Sequence, residues 1–129
     1  MTRTRYAVAM VMAALLASTV LVQADAAEPQ VIDVTLGSYF IKPDKITVKV
    51  GQPVTLKVKN EAWFVPHDLV IKAPDAGINF KVDLHGGKSG STTFTPTKTG
   101  TYKMYCDKKS PFGKNHEEKG MHGELVVAP

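Results

Sequence analysis

Short runs rich in Val, Ile, Thr and Tyr, separated by glycine, proline, asparagine and aspartate, constrain the fold of this chain more than any other feature. Such runs are typical of β-strands, and the residues between them are typical of turns. In the runs 46–50 and 54–58, apolar and polar residues alternate, which predicts one buried and one solvated face for each strand. The predicted strands are Val31–Leu36, Ile46–Val50, Val54–Val58, Asp68–Ile71, Ser91–Thr95, Thr101–Tyr105 and Glu124–Val127.

The number and spacing of these runs predict an all-β fold, an antiparallel two-sheet sandwich with Greek-key connections and about seven or eight strands. Residues 51–53 are expected to form a turn, and residues 117–121 can form a single helical turn. Pro74, Gly77, Gly86 and Gly87 interrupt the segment 73–89. We therefore expect that segment to be a long surface crossover.

The N-terminal segment 1–26 has the pattern of a secretory signal peptide. Arg3 and Arg5 precede an apolar run over residues 6–22, and Ala24-Asp25-Ala26 is a small-x-small cleavage site. Cleavage after Ala26 leaves residues 27–129 as one domain in the bacterial periplasm or an equivalent exported space. The alternative is a retained membrane anchor, although the run of about 17 residues is shorter than the roughly 20 that a spanning helix needs.

The charge of the mature chain excludes one class of partner. Removal of the leader lowers the formal charge from +4 to +3, and lysines are interspersed with acidic and hydroxyl residues. Nucleic-acid binding usually requires a dense basic stripe, so we expect no nucleic-acid partner. A domain of about 103 residues buries enough apolar surface to fold alone. We expect a monomer with no stable membrane insertion after cleavage.

A single cysteine, Cys106, is unusual in an exported protein, where thiols generally form disulfides. It is a buried apolar thiol, half of an intermolecular bridge, or a thiol protected by metal binding. His116 and Met121 lie downstream in the same connection between the last two predicted strands. Thiolate and thioether ligands favour copper, and a His2Cys set with a weak axial Met is typical of a blue-copper centre.

The second imidazole of such a set is predicted to come from His67, which stands at the head of a predicted strand. His2Cys also accepts zinc, but Met is a poor zinc ligand. His85 is expected to be an exposed loop residue, and His122 is an alternative to Met121 as the fourth ligand.

The motif Cys106-x9-His116-x4-Met121-x-Gly123, followed by a predicted last strand, resembles the C-terminal ligand loop of the cupredoxins. Asn60 and the segment 67–71, His-Asp-Leu-Val-Ile, resemble the segment that carries the first histidine of that family.

This resemblance implies a β-sandwich with one type 1 copper per chain. It implies a one-electron carrier between redox protein partners, which is not an enzyme. It also implies that the edge of the His116 ring is the electron doorway. The implied copper ligands are His67, Cys106, His116 and Met121.

Two features depart from the family pattern. The gap between Cys106 and His116 is longer than in the plastocyanin-like and azurin-like members, so the loop can open or distort the site. Asp68 stands where many relatives carry Asn. Its carboxylate can accept a hydrogen bond from the cysteine loop, and it adds negative charge near the metal.

Several alternatives stay open at the level of sequence. A copper carrier or reservoir without electron transfer fits the same ligands, whereas a fragment of a copper enzyme would need further ligands. Four lysines around the motif form either a solvated surface or a collar for an acidic partner. They are Lys108, Lys109, Lys114 and Lys119. The aromatic residues Trp63 and Phe64 are either core or, with Phe112, an apolar patch.

Overall fold

The computed structural model describes residue 21 and residues 28–129 of the 129-residue chain. The expected signal peptide, apart from Leu21, and its cleavage site after Ala26 lie outside the described residues. Within the described residues, no helix combines the length and the apolar character needed to cross a bilayer.

The described chain forms two packed β-sheets, which confirms the predicted sandwich. It contains nine strands rather than seven or eight. They are β1 (Gln30–Gly37), β2 (Phe40–Lys42), β3 (Lys45–Lys49), β4 (Val54–Asn60), β5 (His67–Ala73), β6 (Ile78–Leu84), β7 (Ser89–Phe94), β8 (Gly100–Tyr105) and β9 (His122–Ala128).

The strand order is β2-β1-β4-β7 in one sheet and β3-β9-β8-β5-β6 in the other. Most neighbouring strands are antiparallel, as the sequence predicted. Two pairs are parallel instead, β1 with β4 and β3 with β9. The turn at residues 51–53 joins β3 to β4, and these two strands lie in different sheets.

The core lies between the sheets and is built by the alternation visible in the sequence. In β3 the apolar side chains are buried and the polar ones exposed, and β4 alternates in the same way. Burial of these side chains is the main favourable contribution to folding. The largest fully buried apolar side chains include Leu36, Leu56, Leu69, Ile71, Ile78, Met104, Met121 and Leu125.

The expectation of a surface crossover over residues 73–89 was wrong. A 3-10 turn at Pro74–Ala76 leads into β6, which pairs with β5 along seven residues from His67↔Leu84 to Ala73↔Ile78. Residues 78–84 alternate between apolar and polar, so Ile78 and Leu84 are buried. The proline and glycines around this segment delimit a strand instead of preventing one.

Three neighbouring strands bring their ends together at one pole of the sandwich. β5 begins at His67, β8 ends at Tyr105 and β9 begins at His122. The pairings Val70↔Tyr105 and Tyr105↔His122 place these ends side by side. The connections before β5 and between β8 and β9 therefore open at the same pole.

Candidate metal centre

Three of the predicted ligands meet at this pole. The donor atoms of His67, Cys106 and His116 lie within 4.8 Å of one another, and all three residues are buried. The two Nδ1 atoms are 3.2 Å apart, and Cys106 Sγ lies 3.7 Å from His116 Nδ1. In the described part of the chain this is the one group of three or more His, Cys, Asp or Glu residues close enough to share a metal ion.

Met121, the predicted axial ligand, is fully buried beside this cluster. Its N–H donates to the carbonyl of His116 at 3.1 Å, and its own carbonyl accepts the N–H of Cys106 at 3.1 Å. The Met121 backbone therefore links the backbones of the other two residues of the loop. Its role as a ligand stays a prediction.

The remaining histidines lie outside the cluster. His85 is exposed in the connection between β6 and β7, and His122 is exposed at the start of β9. Neither belongs to the group of donor atoms that converges on His67.

Asn60 fixes the connection that leads to His67. This fully buried residue ends β4, and its Nδ2 donates to the carbonyl of Val65 at 2.9 Å. Nδ2 also lies within hydrogen-bond distance of the carbonyls of Leu84 and His85, at 3.2 and 3.3 Å. Its Oδ1 accepts the N–H of residue 62 at 3.0 Å. The side-chain amide of Asn60 therefore joins the connection before β5 to the end of β6 by hydrogen bonds.

The long connection between Cys106 and His116 is closed at its base. The N–H of His116 donates to the carbonyl of Lys108 at 3.1 Å, and most of the residues 109–114 between them are exposed. After them, Asn115 and Glu118 exchange side-chain to backbone hydrogen bonds of 2.9 and 2.8 Å. This reciprocal pair orders the turn that leads to Met121, close to the single turn predicted for residues 117–121.

Asp68 joins the two ligand-bearing connections. Its backbone N–H points to Cys106 Sγ at 3.5 Å, and its Oδ1 accepts the N–H of Asp107 at 2.8 Å. This is the hydrogen bond from the cysteine loop that the sequence suggested. Lys81 Nζ contacts both Asp107 oxygens at 2.9 and 3.0 Å and lies 3.3 Å from Asp68 Oδ2. That last contact is an ion pair without hydrogen-bond geometry, since Oδ2 has no hydrogen-bond partner among the described residues.

The two carboxyl groups titrate differently because their surroundings differ. Burial raises the pKa of Asp68, and the neighbouring carboxyl group of Asp107 acts in the same direction. The neighbouring Asp68 carboxyl group, followed by the hydrogen bonds from Lys81, holds the pKa of Asp107 below its ordinary value. The Asp107 hydrogen bond is also the main cause of the raised pKa of Lys81. The ammonium therefore remains charged beside the two acids.

Burial gives the metal-free cluster an uncharged state. It lowers the pKa of His67 to about 4, with a further contribution from His116. Burial also lowers the pKa of His116, aided by the positive charges of Lys119 and Lys108. Burial raises the pKa of the Cys106 thiol to about 11. Neutral imidazoles offer lone pairs, and a buried thiolate requires a cation, so this donor set suits one copper ion.

Tyr39, in the connection between β1 and β2, was not identified from the sequence. Its ring makes edge-on contacts with both imidazoles, at centroid distances of 6.0 Å to His67 and 5.1 Å to His116. Lys119 Nζ lies 4.4 Å from the ring centroid and 3.3 Å from the hydroxyl. No local motif signals this position, because Tyr39 is 28 residues from the nearest predicted ligand.

The aromatic residues of the two ligand-bearing connections are on the surface. Trp63, Phe64 and Phe112 are 79%, 97% and 91% exposed, so none of them belongs to the core. We call these three residues the aromatic surface. His116 is only 4% exposed.

The four lysines of the predicted collar have different surroundings. Lys108 pairs with Asp83 at 2.8 Å, and Lys119 contacts Ser110 at 2.9 Å as well as Tyr39. Lys109 and Lys114 are exposed at the two ends of the segment 109–114. These two lie three residues before and two residues after Phe112 in the loop.

Comparison with known proteins identifies the family of this chain. A family model described as "Cupredoxin-like domain" matches residues 7–127. Plastocyanin A/B of Petroselinum crispum and plastocyanin of Daucus carota are each 32% identical over 97 residues, which cover 70% of this chain and 90% of each relative. The crystal structure of a dithionite-reduced auracyanin from Roseiflexus castenholzii is 27% identical, with a TM-score of 0.65 over 80% of this chain and 99% of that one. The crystal structure of a multicopper oxidase is 16% identical, with a TM-score of 0.65 over 83% of this chain and 45% of the oxidase chain. This likeness shows a shared fold alone.

Proposed function

The chain belongs to the cupredoxin-like domain family, and on that premise we propose that it is an exported copper protein that carries single electrons between redox partners. The proposed copper ligands are His67, Cys106, His116 and Met121. The observation that carries this proposal is the convergence of two imidazole Nδ1 atoms and one Sγ in a buried cluster.

Each residue contributes a separate property to the proposed centre. His67 and His116 supply neutral nitrogen donors, because burial disfavours their charged forms. Cys106 supplies a thiolate whose sulfur faces the N–H of Asp68. Bound copper supplies one-electron chemistry by alternating between Cu(II) and Cu(I). The ligand connections are fixed by backbone hydrogen bonds at their bases, which favours the same arrangement in both oxidation states.

The direct test of electron carriage is electrochemical. Protein loaded with one equivalent of copper should give a reversible one-electron wave by voltammetry. In stopped-flow mixing it should oxidise and reduce small inorganic complexes in single-exponential steps. Rapid transfer of copper to a chelator, together with the absence of a reversible voltammetric wave, would instead support a copper carrier or reservoir. Metal analysis above one copper per chain would favour an enzyme with a second site.

We also propose that the aromatic surface and Lys109 with Lys114 form the docking face for an acidic redox partner. Apolar contact would bring the partner close to the His116 ring, and the lysines would raise the encounter rate. The support is the exposure of these side chains on the two connections that reach the cluster.

Charge reversal tests this docking face. Lys109→Glu with Lys114→Glu should slow electron transfer with an anionic complex such as ferricyanide, and the slowing should diminish at high salt. The reaction with a cationic cobalt complex should change in the opposite direction. Lys49→Glu with Lys98→Glu is the matched control, because these exposed lysines lie at the end of the β3–β9–β8 sheet opposite the cluster. Equal effects of the two double variants would refute the assignment.

Export is the remaining part of the proposal and rests on the pattern of residues 1–26. Protein recovered from the periplasm of an expressing bacterium should begin at Ala27, as determined by N-terminal sequencing. Retention of residues 1–26 in a membrane fraction would support the anchor instead.

A further inference from the structure

We propose that Tyr39 is a positioning residue of the metal centre, whose ring holds the imidazoles of His67 and His116 in their ligand orientations. This inference rests on the proposed function, since it concerns the same copper site.

The first observation is that His67 lacks the usual means of fixing a ligand ring. A metal-binding histidine generally donates its other ring N–H to a carboxylate, a carbonyl or water, which sets the ring orientation. His67 Nε2 is buried and has no hydrogen-bond partner among the described residues. Its Nδ1 faces His116 Nδ1 at 3.2 Å. Packing must therefore set the orientation of this ring.

The second observation is that Tyr39 contacts both rings in a preferred aromatic geometry. Its plane is inclined by 81° to His67 and by 73° to His116. Edge-to-face pairs at these separations are attractive and directional. The imidazoles also contact each other, at 5.0 Å and 65°. The three rings thus form a mutually packed set, in which rotation of one imidazole disrupts its contact with Tyr39.

The third observation is that Tyr39 is itself held in place by the turn that precedes Met121. Lys119 lies over its ring and contacts its hydroxyl and Ser110. A Cβ added to Gly120 would approach the Tyr39 carbonyl to 3.0 Å, so this turn packs closely against the tyrosine backbone. Tyr39 therefore links the segment between β1 and β2 to the loop that carries His116 and Met121.

The test uses Tyr39→Leu, which keeps apolar bulk and removes the aromatic ring. Loss of two edge-to-face contacts corresponds to about a tenfold change in a rate or equilibrium constant. We expect Cu(I) to pass from Tyr39→Leu to bathocuproine disulfonate about tenfold faster than from the wild type. The electron paramagnetic resonance spectrum of the Cu(II) form should show a changed or heterogeneous copper hyperfine pattern.

Two further variants separate positioning from stability. Tyr39→Phe retains the ring and loses the hydroxyl contact with Lys119, so it should restore both the wild-type release rate and the wild-type spectrum. Tyr102→Leu removes a half-buried tyrosine near the opposite end of β8, four residues before Cys106. It should lower thermal stability without changing the copper spectrum.

The possible results divide clearly between the two proposals. A Tyr39→Leu protein with wild-type release and spectrum would overturn the role of Tyr39. A Tyr39→Phe protein as defective as Tyr39→Leu, or a Tyr102→Leu protein with the same spectral change, would overturn it as well. Failure of the wild-type protein to form a copper–thiolate centre would instead refute the proposed function.

Discussion

Asn60 should contribute more to the stability of this domain than any exposed polar residue. Its amide is fully buried and connects the segment before His67 with the end of β6. Asn60→Ala removes the acceptor of the residue 62 N–H and the donor to the Val65 carbonyl, at 3.0 and 2.9 Å. It also removes the longer contact with the Leu84 carbonyl, at 3.2 Å.

The magnitude follows from these contacts. A hydrogen bond contributes about 1 kcal/mol net, and a buried group left without a partner costs about 1–3 kcal/mol. The His85 carbonyl is less affected, because it also accepts the N–H of Lys88 at 3.2 Å. We therefore expect Asn60→Ala to lower the free energy of unfolding by about 3 kcal/mol. For a domain of this size the corresponding fall in Tm is about 12–24 °C.

The assay is urea unfolding of the metal-free protein, followed by circular dichroism, with a thermal melt as the second measurement. The control is Thr93→Ala, which removes the exposed contact of 2.9 Å between Thr93 and Thr55 and should change stability by less than about 0.5 kcal/mol. Asn60→Asp should be no more stable than Asn60→Ala at neutral pH, since its carboxylate faces carbonyl oxygens. A loss below about 1 kcal/mol for Asn60→Ala would refute the reasoning.

Three further outcomes follow from the cluster. The pKa of His67 is about 4 in the fold against 6.5 ordinarily, so the unfolded chain takes up its proton first as the pH falls. His67 should account for a loss of about 3 kcal/mol from the metal-free protein between roughly pH 6.5 and 4, measured by urea titration, and His67→Gln should reduce the slope by that contribution. An unchanged slope in His67→Gln would contradict the assignment. Cys106 is fully buried, and its pKa is about 11 in the fold against an ordinary value of 9.0. Iodoacetamide at pH 8 should therefore alkylate Cys106 in the folded metal-free protein at least about a hundredfold more slowly than in the urea-unfolded chain. Comparable rates would show that the thiol is accessible. Asp68→Asn keeps an acceptor for the Asp107 N–H and, above the raised pKa of Asp68, removes a negative charge near the metal. Voltammetry at alkaline pH should therefore give a higher reduction potential, whereas an equal or lower one would argue against the charge effect.

Much of the sandwich could be predicted because its strands carry a local signal. The alternation in β3 and β4 matches their burial, and the predicted start of β5 at Asp68 differs from the structure by one residue. β6 carries the same alternation but lies between Pro74 and a pair of glycines, and the turn signals dominated the interpretation. β2 has only three residues, too few to show a period.

Pairing between distant strands could not be predicted from local patterns. The parallel pairs β1–β4 and β3–β9 depend on how the two sheets pack, and that information is spread over the whole chain.

The part of the candidate site whose residues are close together in the sequence could be predicted. Cys106, His116 and Met121 lie within 16 consecutive residues, and their residue types select the metal. His67 required the additional inference that its strand opens at the same pole. Tyr39 and Lys81 have no distinguishing local context, so their contacts with the ligands and with Asp68 became visible only in three dimensions.

The central claim is that copper binds the Cys106 thiolate together with the two imidazoles. The most direct measurement is the visible absorption spectrum of the protein with one equivalent of Cu(II), recorded beside Cys106→Ser. We predict an intense thiolate-to-copper band in the wild type that saturates at one copper per chain and is absent from Cys106→Ser. A colourless wild-type protein, or the same band in Cys106→Ser, would contradict the claim.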